Sequence, residues 1–167
     1  MVSDKMAEQL NQQIKHELYS GHLYLSMAAY CANSDLDGFC NFFVVQEMEE
    51  RFHAMKFFNY IVEQDKDVKI FGLDQPKMDF KSLEEVFELA WKHEQSVTDR
   101  INKLMDLAIQ EKDYATQSLL HWYIDEQVEE EASMLNILKK LRIVGDKGQG
   151  LFMLDKDLAQ RAYNPPK

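Results

Sequence analysis

Residues 65–81 have the sequence DKDVKIFGLDQPKMDFK, an irregular segment that contains Gly72 and Pro76 and lies between two long helical patterns. A hairpin between neighbouring helices needs only a few residues, so this connection is far longer than a hairpin requires. At about 3.3 Å per extended residue, it can span a helix of about 30 residues, which is roughly 45 Å long. We therefore predict that it runs along the length of a helical bundle and leaves its two flanking helices parallel.

Four long helices and one short helix are predicted on the two sides of this connection. The 167 residues include only six Gly and three Pro, and this composition favours helix over strand. The sequences Ser34-Asp35-Leu36-Asp37 and Ser82-Leu83-Glu84-Glu85 resemble capping boxes and mark the starts of the second and third helices. Within a single domain of residues 1–167, the predicted helices α1 to α5 cover about 4–32, 35–64, 83–110, 113–144 and 151–161.

The connection lengths predict the topology. Only a few residues separate α1 from α2 and α3 from α4, so each pair forms an antiparallel hairpin. With the long α2–α3 crossover, the chain is expected to be an all-α four-helix bundle that ends in a short fifth helix.

A set of metal-capable side chains occurs twice in the helical pattern. The two sets have the same internal spacing and are offset by 77 residues: Glu17, Glu50 and His53, then Glu94, Gln127 and Glu130. Each position falls near the midpoint of an otherwise apolar helical stripe, as Glu94 does between Ala90 and Val97. Four helix midpoints meet at one depth in a bundle, so we expect these side chains to converge.

The four carboxylates of this set favour a metal site. An unpaired buried charge costs several kcal/mol, whereas divalent cations can satisfy several carboxylates and one imidazole together. A lone buried Glu is more often paired with Lys or Arg, and Glu-x-x-His alone occurs by chance. The repeat and the absence of Lys or Arg at the four stripe centres favour metal. A bundle that only assembles or binds partners, with a buried polar network at its centre, remains the non-catalytic alternative.

Charge excludes several classes of partner. The 29 acidic and 19 basic residues give a formal net charge of −10, which disfavours nucleic acids and anionic membranes and favours cations. The sequence has no apolar run long enough to span a bilayer, and its first residues lack the apolar core of a signal peptide. A cytoplasmic location is the expectation.

These residues resemble the ferritin family, and most closely the bacterial non-haem ferritins, over nearly the whole chain. The resemblance implies a ferritin-like four-helix bundle that stores iron and has ferroxidase activity. Such a protein oxidises Fe(II) with dioxygen, or with peroxide, at a diiron centre and stores Fe(III) as a mineral. It also implies a shell of 24 identical subunits in which Leu151, Leu154 and Leu158 of α5 line a four-fold axis.

The resemblance also assigns roles to individual residues. It implies that Glu17, Glu50 and His53 hold the first iron. Glu50 then bridges to a second iron held by Glu94 and Glu130. The family's hydrogen-bonding glutamine corresponds to Gln127, and a tyrosine that can donate an electron corresponds to Tyr24.

A third, inner iron site is also implied by the resemblance. Its ligands would be Glu49, Glu126 and Glu129 together with Glu130. The alternative is an ordinary solvated acidic face, which three consecutive acids at 129–131 would also produce.

Related classes differ from the sequence at specific positions. A bacterioferritin has a second Glu-x-x-His and a haem-ligating Met after the second-helix Glu, but here those positions are Gln127 to Glu130 and Arg51. Haem is therefore not expected. A diiron peroxidase of the rubrerythrin type would also carry the second histidine and usually paired Cys-x-x-Cys motifs, and it is kept as an alternative function.

Overall fold

A computed structural model describes residues 2–165 of the chain and confirms the all-α prediction. Its five helices are α1 Asp4–Ala32, α2 Asp37–Glu63, α3 Leu83–Gln110, α4 Tyr114–Val144 and α5 Gln149–Leu158. No strand occurs in residues 2–165. The largest shift from the predicted bounds is in α5, which begins at 149 instead of 151 and ends at 158 instead of 161.

The long connection follows α1 from one end to the other. Near the start of α1, Asn11 Nδ2 donates to the Asp67 carbonyl at 3.0 Å, and the Lys69 N–H donates to Asn11 Oδ1 at 2.6 Å. Near the end of α1, Ser26 Oγ donates to the Lys77 carbonyl at 2.6 Å. The connection therefore returns the chain to the end of the bundle where α2 began, and α2 and α3 are parallel as predicted.

The start of α2 differs from the prediction. Asp35 has a φ of 56°, which ends the turn after α1, and the N-cap residue Leu36 provides no side-chain cap. The orphan N–H groups of Gly38 and Phe39 instead donate to Asp155 Oδ1 of α5, at 2.9 and 3.0 Å. The predicted capping box at Ser34 is thus wrong, because a carboxylate from a distant helix takes its place.

The predicted cap of α3 is confirmed. Ser82 Oγ accepts a hydrogen bond from the Glu85 N–H at 3.1 Å. The Glu85 carboxylate accepts from the Lys81 N–H, so the acidic residue reaches one position further back than in a standard capping box.

The short helix α5 packs against its own bundle. Leu151 and Leu154 are buried in the apolar cluster, and Leu158 packs on it while partly exposed. The bundle of the same subunit therefore covers Leu151 and Leu154, whereas Leu158 keeps exposed surface, and the expected four-fold axis stays a prediction. The apolar side chains that α5 leaves exposed are those of Phe152, at 77%, and Met153, at 63%.

The core is divided into two apolar clusters. One contains the C-terminal half of α1 and the N-terminal half of α2, and the other contains their opposite halves. The first cluster also contains the N-terminal half of α3 and the C-terminal half of α4, and the second contains their other halves. The polar midpoints of the four helices therefore lie between the two clusters. Within residues 2–165, no helix is long and apolar enough to cross a membrane.

Candidate metal centre

The structure brings the repeated set of side chains together at the level between the two apolar clusters. All six members are buried: Glu17, Glu50, His53, Glu94, Gln127 and Glu130. Each of the four long helices contributes at least one of them, because each helix carries a polar residue at the midpoint of its apolar stripe. The expected convergence of the four helix midpoints is therefore seen in the structure.

The first half of the centre contains two carboxylates and an imidazole. Ligand atoms of Glu17, Glu50 and His53 lie within 4.8 Å of one another, and His53 Nδ1 is 3.6 Å from Glu50 Oε2. Gln13 Nε2 donates to Glu17 Oε1 at 2.8 Å. Glu17 Oε2 and Glu50 Oε2 are buried and have no hydrogen-bond partner among the described residues. One ligand atom from each of these three residues can therefore reach a shared cation.

The second half of the centre is organised by hydrogen bonds to Glu94. Gln127 Nε2 donates to Glu94 Oε2 at 3.0 Å and to the Glu94 carbonyl at 3.2 Å. The Tyr24 hydroxyl, which is fully buried, donates to Glu94 Oε1. Both oxygens of this carboxylate therefore accept a hydrogen bond, which fixes the orientation of the carboxylate group.

Glu130 completes the second half. Its Oε2 accepts a hydrogen bond from Gln46 Nε2 at 2.6 Å, and Gln46 itself is fully buried in α2. The Gln46 amide thus holds one oxygen of Glu130, and the other oxygen can bind a cation.

Burial raises the pKa values of the central carboxyl groups. Burial, followed by the charges of Glu94 and Glu17, holds the pKa of Glu50 well above its ordinary value. Burial raises the pKa of Glu94 to about 7, against the opposing effect of its hydrogen bonds from Tyr24 and Gln127. The pKa of Glu130 rises to about 8, again through burial and then through the charge of Glu94. Without a cation, this site retains protons near neutral pH.

The acids of the implied inner site are placed in three different environments. Ligand atoms of Glu126, His53 and Glu130 lie within 4.8 Å of one another, so Glu126 joins the edge of the centre. Glu49 is partly buried, and its Oε2 is 2.5 Å from Arg161 Nη2. Glu129 is exposed. The structure therefore brings one of the three acids to the centre and leaves Glu49 in an ion pair.

Sequence reasoning missed three residues that contact this centre or the residues beside it. Gln13 and Gln46 each lie four positions before a stripe glutamate, Glu17 and Glu50, and this one-turn spacing on the core face could have identified them. Arg161 gave no such signal, because its position depends on how the segment after α5 returns to α2.

Comparisons with known proteins match this architecture over the full chain. A family model described as a ferritin-like domain matches residues 7–144. The chain is 42% identical to a bacterial non-heme ferritin of Staphylococcus aureus strain MRSA252, covering 98% of this chain and 99% of the relative. The corresponding protein of Staphylococcus saprophyticus is 40% identical, with 98% of each chain covered.

Solved structures give the same result. An open pore ferritin from the hyperthermophilic archaeon Archaeoglobus fulgidus superimposes with a TM-score of 0.95 at 46% identity, over 97% of this chain and 100% of that one. A structure described as a humanized archaeal ferritin superimposes with a TM-score of 0.97 at 45% identity, over 99% and 100% of the two chains.

Proposed function

The chain belongs to the ferritin family, and on that premise we propose that it is an iron-storage protein that oxidises Fe(II) at the paired site described above. Membership of the family supports iron storage in general. The specific reaction proposed is the oxidation of two Fe(II) ions by dioxygen or peroxide, followed by storage of Fe(III) as a mineral.

The observation that carries this proposal is the pair of buried oxygens without partners, Glu17 Oε2 and Glu50 Oε2. Leaving a buried carboxylate oxygen without a hydrogen bond is unfavourable, and this site contains two such oxygens. A divalent cation between these groups would satisfy all three ligand atoms. Carboxylate oxygens together with one imidazole nitrogen form a ligand set suited to iron.

Each half of the centre would hold one Fe(II) substrate ion. Glu17, Glu50 and His53 would hold the first, and Glu94 and Glu130 would hold the second with Glu50 shared between them. Gln127 would act through its hydrogen bond to Glu94. Each Fe(II) gives up one electron, so a bound pair supplies two electrons to one dioxygen molecule, with two protons needed to form hydrogen peroxide.

The unequal ligation suits the release of product. The first position has a nitrogen ligand, whereas the second has oxygen ligands only, so we expect the second ion to be held more weakly. Glu126 lies beside both His53 and Glu130, and it would accept an ion leaving the second position. We propose that Glu49 and Glu129 complete an inner third site on that route.

Storage of a mineral requires a closed shell, and we propose a homo-oligomer of 24 subunits. The support from this chain is the exposed apolar surface of α5 at Phe152 and Met153. Two adjacent exposed apolar side chains would be covered if another subunit packed on α5.

The test is to add Fe(II) to iron-free protein without oxygen, admit air, and follow the Fe(III) absorbance and the particle size. Glu50→Ala and His53→Ala should abolish the rapid phase of oxidation. Glu63→Ala and His121→Ala, which alter exposed residues on α2 and α4, should retain it. Full rates in both centre variants would refute the ferroxidase proposal, and a parent protein without any iron-dependent absorbance change would favour the non-catalytic bundle.

A further inference from the structure

Arg161 connects the segment that follows α5 to two residues beside the metal centre. Its Nη2 donates to Glu49 Oε2 at 2.5 Å, and its Nη1 donates to Gln46 Oε1 at 2.8 Å. Nη1 also lies 3.3 Å from the Phe42 carbonyl, and the guanidinium carbon lies 4.4 Å from the centre of the Phe42 ring. One side chain thus contacts three successive turns of α2.

The backbone around Arg161 is held in place independently of its side chain. Asn41 Nδ2 donates to the carbonyls of Arg161 at 2.9 Å and of Leu158 at 3.2 Å. The carboxylate of Asp155 caps α2 from the same side. Docking of α5 therefore determines where the guanidinium sits.

Arg161 fixes the orientation of the Gln46 amide. A guanidinium has five N–H donors and no acceptor, so the oxygen of Gln46 must face Arg161. The amide nitrogen must then face the other way, towards Glu130, where it donates at 2.6 Å. Without Arg161, the amide could rotate and present its oxygen to the carboxylate. The guanidinium therefore ensures that Glu130 meets a donor.

Arg161 also restrains Glu49. The ion pair is only partly exposed, with 23% of each side chain accessible, so solvent screens it less than a surface pair. Glu49 is not a member of the group formed by His53, Glu126 and Glu130. A cation that recruits Glu49 to this group must displace it from Arg161.

We propose that Arg161 is a positioning residue that sets the affinity of the inner iron site by competing with the cation for Glu49 while it orients Gln46 towards Glu130. This inference rests on the proposed function, because it requires that the centre binds iron. Its consequence is that iron leaving the oxidation centre binds the inner site only weakly and continues into the interior of the proposed shell. The segment after α5 thereby influences the metal centre although it contributes no ligand.

Anaerobic calorimetric titration of Fe(II) into the iron-free assembled protein tests this proposal. Arg161→Gln should tighten the weakest Fe(II) site of each subunit about tenfold, the scale of one charge-assisted hydrogen bond. Arg161→Lys, which keeps a cation opposite Glu49, should stay within about twofold of the parent. Arg161→Met retains the alkyl packing on Phe42 and replaces the glutamine variant if that variant does not assemble.

Two further variants separate positioning from a general structural effect. Arg142 forms ion pairs with two carboxylates on the surface. Arg142→Gln therefore also removes an arginine from ion pairs, but it should leave all Fe(II) affinities unchanged. In a Glu49→Gln background, Arg161→Gln should no longer tighten the weakest site. An unchanged or weakened site in Arg161→Gln, or tightening that persists without Glu49, would overturn the proposal. Absence of Fe(II) binding by the parent protein would instead refute the proposed function on which it rests.

Discussion

Tyr24 donates its hydroxyl hydrogen bond to Glu94, across the bundle from α1 to α3. The hydroxyl is fully buried, and burial followed by the charge of Glu94 holds the pKa of Tyr24 well above its ordinary value. The phenol is therefore protonated at neutral pH, and it donates that proton in a hydrogen bond to the Glu94 carboxylate. Besides any role as an electron donor, Tyr24 orients a proposed iron ligand.

Tyr24→Phe should weaken binding at the second metal position about tenfold, because a hydrogen bond to a charged group contributes roughly 1.5–3 kcal/mol. Anaerobic titration with Fe(II) would measure the change. The matched control is Tyr123→Phe, since the Tyr123 hydroxyl is also buried but donates to the His53 carbonyl at 2.7 Å instead of to a carboxylate. Equal losses in the two variants would contradict a specific role for the Tyr24–Glu94 bond.

The raised carboxyl pKa values predict how the stability of the iron-free protein depends on pH. Glu94 and Glu130 have folded pKa values of about 7 and about 8, above the ordinary value of 4.5. The folded state therefore holds protons that the unfolded state releases, so their stabilising contribution is complete below about pH 4.5 and is lost as pH rises to about 8. We expect the melting temperature to fall over that window.

Glu130→Gln isolates this effect from other titrations. An amide does not ionise, so the variant should gain stability relative to the parent as pH rises from 5 to 9. Calorimetric melts of iron-free protein at several pH values would measure this difference. A difference that stays constant with pH would show that Glu130 does not titrate in this range.

Gly38 provides a test of how α5 docks on α2. A Cβ atom at this position would lie 1.6 Å from the Asp155 carbonyl oxygen, so Gly38→Ala must displace α5. Replacing a helical glycine with alanine normally stabilises by up to about 1 kcal/mol, but this overpacking should destabilise by about 1–3 kcal/mol. Increased hydrogen exchange in α5 should accompany the loss. Gly72→Ala, where a Cβ meets nothing within 4 Å, is the control and should not destabilise the protein.

The fold could be predicted largely because its determinants are local. The length of the connection at 65–81 fixed the topology, and the periodic apolar stripes fixed the helices and the depth of the polar centre. The start of α2 could not be predicted in the same way. Its cap is Asp155, more than 100 residues away in the sequence, and only the folded position of α5 brings that carboxylate to Gly38.

The candidate site shows the same division. The six stripe residues were identified because each interrupts an apolar helical face, and the resemblance to ferritins supplied their roles. The supporting contacts are less visible, since Gln46 meets Glu130 across 84 residues and Arg161 meets Gln46 across 115. Glu49 was expected to be an iron ligand or a solvated acid, but it forms an ion pair with Arg161. Helical periodicity does not indicate this long-range pairing.

The last prediction concerns the difference between the two halves of the repeat. Glu130 stands where the first half has His53, and Gln127 stands where it has Glu50. Gln127→Glu would replace the donor to Glu94 with another buried carboxylate beside it. Burying an additional charge without a partner should lower the melting temperature of iron-free protein by about 5 °C or more. Zn(II), as a redox-inert probe, should restore more stability to this variant than to the parent, because the cation neutralises the added charge. Gln127→Leu removes the same donor without adding charge, so its gain on Zn(II) addition should not exceed the parent's. Equal gains in the glutamate and leucine variants would mean that position 127 does not face the bound metal, and that the asymmetry between the halves arises from His53 alone.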